Sequence, residues 1–125
     1  MQTVLLILAA AAGMSGVGLG AFGAHAFQAL LIANDRLSTY QTAVQYHLIH
    51  AVALLVAALL AGQHQSVYLI SAGWAFAIGI VLFSGSLYML SLQNARIMGA
   101  VAPFGGIAFV IGWGMILLHA FATRS

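Results

Sequence analysis

VLLILAAAAGMSGVGLGAFGAHAF, residues 4–27, is a run of 24 residues with no charged side chain. Wound as an α-helix it reaches ~36 Å at 1.5 Å per residue, more than the ~30 Å hydrocarbon core of a bilayer. Its second half is built of glycine and alanine with isolated bulky residues, and it closes on a histidine, His25, set in GAFGAHAF. The same reading applies three more times, to residues 40–62, 67–92 and 99–122, each long and apolar enough to cross. The connections between them are too short for a separate domain. Residues 1–125 therefore read as a single transmembrane domain.

Composition agrees. The chain is 64% hydrophobic and 3% charged, with a mean hydropathy of +1.12, far more apolar surface than a soluble domain of 125 residues can bury. Barrel strands alternate apolar and polar side chains, whereas these runs are apolar all round, so helices are expected and a transmembrane barrel is not. The fold class is all-α integral membrane: four transmembrane helices in an antiparallel bundle. No cysteine is present, which removes disulfides, thiolate metal sites and thiol chemistry. Three arginines make the net charge of +2, and no basic cluster exists that could grip nucleic acid. The first segment lacks the basic n-region of a secretory signal and continues apolar to Phe27, so a retained helix is expected.

The link HAFQALLIANDRLS, residues 25–38, spaces Phe27, Leu30 and Leu31 helically before Asn34, Asp35 and Arg36 break the pattern. It reads equally as a short amphipathic helix in the membrane interface or as an extension of helix one. GQHQS, residues 62–66, is a tight polar turn, and SLQNARIM, residues 91–98, brings Arg96 to lipid phosphate. Arg36 and Arg96 share a side, against Arg124 on the other. The positive-inside rule then puts the first and third links in the cytoplasm and both termini outside.

Gly13, Gly16, Gly20 and Gly23 trace a side-chain-free stripe on helix one, where another helix can lie backbone to backbone. A phosphate-binding glycine loop would need a preceding strand and a basic or hydroxyl residue at its end; neither is here. Helix four repeats the theme with Gly99, Ala102 and Gly106, and Pro103 falls in its first turn or so. In helix three the polar break FSGS, residues 83–86, offers Ser84 and Ser86 hydroxyls to backbone carbonyls or a neighbouring helix. Trp74, Tyr40, Tyr68 and Tyr88 lie near segment ends and read as interfacial anchors.

Tyr46, His47 and His50 fall on one side of helix two by their spacing, with His50 about ten residues in, ~15 Å deep. Helices one and two are antiparallel neighbours, which is expected to bring His25 within one or two turns of His47 or His50. Three imidazoles suggest a transition metal, and two on different helices suggest axial haem ligation. No thiol joins them, and Asp35 is the only acid in the chain. The expected role is therefore structural: neutral imidazoles bonded across helices, with no cofactor and no metal. Metal or haem ligation by His25 and His50, and a proton relay in a proton-coupled carrier of a small solute, are the competing readings. His64 and His119 stand at segment ends, where water accounts for them.

GAFGAHAF together with TAVQYHLIHAVALL at 42–55, FSGSLYML at 83–90 and APFGGIAFVIGW at 102–113 resembles the YgdD/YwdK-type family of small four-helix membrane proteins. That is a domain-of-unknown-function family of bacterial inner membranes with eukaryotic relatives. The resemblance covers nearly the whole chain. It implies the fold and an inner-membrane location, and no established activity. Carried over, the family's histidines fall on His25 and His50. The position of His47 is more often Gln in that pattern, and its TPIGG reads APFGG here, keeping Pro103, Gly105 and Gly106. No nucleophile–base pair or carboxylate dyad can be assembled from the sequence, so catalysis is not expected. The function expected is a non-catalytic module that forms homo-oligomers or binds a protein partner in the lipid bilayer.

Overall fold

The computed structural model describes residues 1–124. Its elements are α1 (Gln2–Ala24), α2 (Gln28–Ala33), α3 (Leu37–Gln63), α4 (Val67–Gly79), a π-helical segment (Ile80–Ser84), α5 (Gly85–Gln93) and α6 (Met98–Ala122), with no strand among the described residues. The four spans are α1, α3, the composite Val67–Gln93 and α6, each long and apolar enough to cross a membrane. In hydrocarbon a backbone must satisfy its own hydrogen bonds, and a helix does so residue by residue. Predicted and observed span limits agree to within three residues. The first span ends sooner than residue 27, where His25 leaves helical dihedrals with φ −126° and ψ −83°.

Of the two readings for the first link, a separate short helix is the one observed. α2 inserts Leu31, fully buried, and leaves Leu30 and Ile32 exposed. Asp35 then takes a left-handed φ of 55°, which short polar side chains tolerate at a helix end. Asn94 ends α5 in the same way, with φ 52°. These two corners are tied together: Asn34 Nδ2 donates to the Ser91 carbonyl at 3.0 Å, and Asn94 Nδ2 donates to Asn34 Oδ1 at 3.3 Å. The first and third links thus share one face of the bundle, with Arg36 and Arg96.

Spans adjacent in the chain pack against each other: α1 on α3, α3 on α4 and α5, and α4 on α6. Without a hydrophobic drive between helices in lipid, close approach rests on small residues. Gly16 lies against Leu48 and His47, Gly20 against Val44, and Gly23 beneath the Tyr40 ring. Gly13 is the exception, since a side chain there would meet nothing within 4 Å. Three of the four stripe glycines therefore make the contact expected of them. Gly13 does not, because it lies at the edge of the α1–α3 contact and opens on a groove between the two helices.

The α4–α6 seam interlocks reciprocally: Phe76 covers Gly112, and Phe109 covers Gly79. Further along, Gly105 lets α6 press against the Phe83 backbone inside the π segment. Leu5 reaches from α1 onto Gly73, and with Leu54, Ala57, Phe76 and Phe109 forms the buried centre.

Candidate functional site

The polar interior is two histidine clusters, one on each flank of α3. His47 turns toward α1 and α5. Its Nε2 lies 3.1 Å from Ser15 Oγ, and its Nδ1 2.8 Å from Tyr88 Oη. Ser15 Oγ donates to the Ala12 carbonyl at 3.1 Å, which fixes the rest of the chain of bonds. His47 Nε2–H donates to Ser15, and Tyr88 O–H donates to His47 Nδ1. The Tyr88 ring packs on Tyr40 with centroids 5.2 Å apart, and Tyr40 Oη donates to the Leu19 carbonyl at 2.5 Å.

His50 turns the other way, toward α6. Trp113 Nε1–H donates to its Nε2 at 3.1 Å, and its Nδ1–H donates to the Tyr46 carbonyl at 2.8 Å. An indole only donates and a carbonyl only accepts, so His50 is the neutral Nδ1–H tautomer. Phe109 stacks on the imidazole at a centroid distance of 3.6 Å, and the Tyr46 ring lies parallel at 6.0 Å. Ser84 adds a third tie, donating to the Ala43 carbonyl at 2.8 Å. Among the described residues, no buried side-chain nitrogen or oxygen lacks a hydrogen-bond partner.

The predicted site residues are only partly brought together. Tyr46 and His50 are neighbours, while His47 faces a different pair of helices. His25 is a correction. Gly16 faces His47 and Leu48, Gly20 faces Val44, and Gly23 faces Tyr40, so each step along α1 is met by an equal step back along α3. His25 is thereby level with Ser38 and Thr39. It stands about eleven residues of helix, ~17 Å, from the level of His50. Its ring is exposed and makes no side-chain hydrogen bond among the described residues. A site shared by His25 and His50 is thus ruled out by register, and among the described residues no three His, Asp or Glu side chains gather in a metal-holding group.

Tyr40 and Tyr88 are not interfacial anchors. Tyr40 is buried and Tyr88 half-buried, because both reach inward over small residues of α1 or onto His47. Sequence reasoning missed Ser15, Tyr88 and Trp113 as partners. Each lies 32 to 63 positions from its histidine, and no local spacing signals such a pair.

The Ser15–His47 contact is a hydroxyl–imidazole pair, a combination used elsewhere for nucleophilic catalysis. Here the bonding differs from that of a catalytic pair. The serine proton goes to Ala12 rather than to the imidazole, the serine sits mid-helix in α1, and the surrounding backbone N–H groups are spent within that helix, leaving no donors for an oxyanion.

A fold of four apolar spans whose interior polar groups bond to one another defines a small multi-pass membrane protein. The chain belongs to the family described as "Protein of unknown function (DUF423)", which it matches over residues 19–106. It is 47% identical to the UPF0382 membrane protein YwdK of Bacillus subtilis over 118 residues, 94% of this chain and 95% of that one. It is 43% identical to the UPF0382 membrane protein SERP0230 of Staphylococcus epidermidis, over 92% of this chain and 93% of that one. It is 38% identical to the UPF0382 inner membrane protein YgdD of Escherichia coli, over 96% and 91%. No solved structure matches. The chain is an inner-membrane protein of a family to which no catalytic activity is attached.

Proposed function

We propose that the protein is a non-catalytic membrane module that associates with a second copy of itself through α1. The observation that carries this is the imbalance of packing. In its most apolar stretch α1 has 17% of its residues buried, against 22% in α6 and 44% in α3 and in the composite third span. The face of α1 turned away from α3 still holds small residues, Ala10, Ala11, Gly18 and Ala21, around an exposed Met14. Beside it a groove of about 610 Å³ runs between α1 and α3, floored by Ala9, Gly13 and Ala51. Small residues facing lipid gain nothing from lipid, whereas against another helix they permit close approach. Among the described residues every buried side-chain nitrogen and oxygen is already hydrogen-bonded, in keeping with a structural role for the interior polar groups.

The test is the mass of the protein in mild detergent and in nanodiscs, for wild type and for Gly13→Leu. Position 13 has open space around it within the monomer, so the leucine fills the groove without disturbing the fold. A dimer or larger assembly in wild type, lost in Gly13→Leu at unchanged helicity, supports the reading. A wild type that is monomeric across the accessible concentration range refutes it.

A further inference from the structure

On the face opposite the Asn34–Asn94 tie, the α3–α4 turn meets the C-terminal end of α6. There His64 and His119 stand with ring centroids 5.8 Å apart. We propose that this pair is a binding site for a divalent transition-metal ion, copper(II) ahead of zinc(II), held by one nitrogen of each imidazole.

The geometry comes near what such an ion needs. A metal at about 2.0–2.1 Å from one nitrogen of each ring lies about 3.2 Å from each centroid, which puts the centroids about 5 Å apart for tetrahedral ligands and about 4.5 Å apart for neighbouring corners of the tetragonal geometry that copper(II) favours. The observed spacing of 5.8 Å exceeds these by roughly 1 Å, which a rotation of the exposed His64 ring can close. His119 is already oriented. Its Nδ1 lies 2.9 Å from Ser66 Oγ, and in the tautomer whose Nδ1–H donates to that hydroxyl the other nitrogen, Nε2, is free to act as a ligand. His64 has no side-chain hydrogen bond among the described residues that an ion would have to displace.

Both rings open on a cavity of about 550 Å³ whose wall includes Gln63, Gln65, Ser66 and Thr123. Amide and hydroxyl oxygens, with water, can complete the coordination. Two neutral imidazoles and no carboxylate make a site that follows the intrinsic order of affinity, in which copper(II) stands above zinc(II). With two protein ligands the ion exchanges readily, so the site suits capture and release at the membrane surface better than permanent structural metal.

The pair differs from the interior histidines in one decisive way. His47 and His50 use both ring nitrogens in bonds within the bundle, whereas at His64 and His119 at least one nitrogen of each is free of such bonds.

The experiment uses the full chain, freed of any affinity tag and purified in detergent, and titrates it with copper(II) alone. Electron paramagnetic resonance counts the nitrogen ligands, and competition with zinc(II) gives the order of affinity. The expected result is one copper per chain with two imidazole nitrogens. His64→Ala and His119→Ala should each lose the two-nitrogen signal and the stoichiometric site, while His25→Ala, which removes an exposed histidine on the other face, should leave both intact. Both substituted side chains sit at helix ends, and circular dichroism with thermal melting confirms that the variants are folded. The proposal is overturned if wild type takes up no stoichiometric copper, if the two-nitrogen signal survives in His64→Ala or His119→Ala, or if His25→Ala abolishes it.

Discussion

Trp113 Nε1 lies 3.1 Å from His50 Nε2, and this bond joins α3 to α6 beside the stack of Phe109 on the same imidazole. The donor can do nothing but donate, so the histidine is held as acceptor on that nitrogen and as donor to Tyr46 on the other. Trp113→Phe keeps an aromatic ring near Phe76 and removes the N–H together with part of the indole's bulk. We expect it to cost about 1 kcal/mol, and a double-mutant cycle with His50→Ala to show coupling of about 0.6 and up to ~1.7 kcal/mol, the range for hydrogen bonds in membranes. Additive losses in reversible unfolding would mean that the bond carries no coupling energy.

His47 bridges a donor on one side and an acceptor on the other, a role that a carboxamide can also fill. His47→Gln should therefore keep most of the stability, with its carbonyl accepting from Tyr88 and its amide donating to Ser15. His47→Leu should lose about 1–3 kcal/mol, because the Tyr88 hydroxyl is left without a partner. Thermal melting of the two variants side by side decides the matter: equal losses would show that imidazole itself is required.

Two positions of the glycine stripe should respond oppositely. A Cβ at Gly20 already comes within 3.2 Å of Val44 Cγ1, so Gly20→Leu forces α1 off α3 and should destabilise by about 1–3 kcal/mol. Gly13→Leu meets open space within the monomer and should melt as wild type does at concentrations where both are monomeric. Equal melting temperatures for the two variants would contradict the observed α1–α3 contact.

His25→Ala should change stability by no more than about 0.5 kcal/mol, as expected for an exposed side chain without bonds in the bundle. A loss comparable to that of His47→Leu in the same unfolding assay would show that His25 has a partner in the folded state.

A reporter fused after residue 125 tests the orientation. The Asn34–Asn94 tie puts Arg36 and Arg96 on one face, and the positive-inside rule makes that face cytoplasmic. A periplasm-active reporter is expected to be on, and a cytoplasm-active one off; the reverse pattern inverts the topology without touching the fold.

Much of this architecture was legible in the chain, for identifiable reasons. Hydropathy located four spans because each must match the bilayer, and small residues announced the α1–α3 contact because only they allow backbones so close. The histidine clusters were legible as residues and not as partnerships. Tyr46, His47 and His50 share a stretch of α3, but which flank each ring takes depends on the rotation of α3 against three other helices. His25 misled for a similar reason: being on the same membrane side as the start of α3 says nothing of depth, and register supplied the missing coordinate. The FSGS break marked the third span as irregular, yet a π turn has no composition of its own that distinguishes it from a polar kink.

That π turn over Ile80–Ser84 makes the third span sensitive to the gain or loss of a residue in a way that its hydropathy conceals. A π turn accommodates one residue more than an α turn, so removing one residue from it would let the span run on as a continuous α-helix. Deleting Val81 would leave the span long enough and apolar enough to cross. Everything from Gly85 onward would keep its native phase only because the surplus residue had gone from the turn, whereas the same deletion made inside Val67–Gly79 or Gly85–Gln93 would rotate the rest of the span by about 100°. The segment is thus the one place in the span where an alignment gap between relatives can fall while Tyr88 still points at His47.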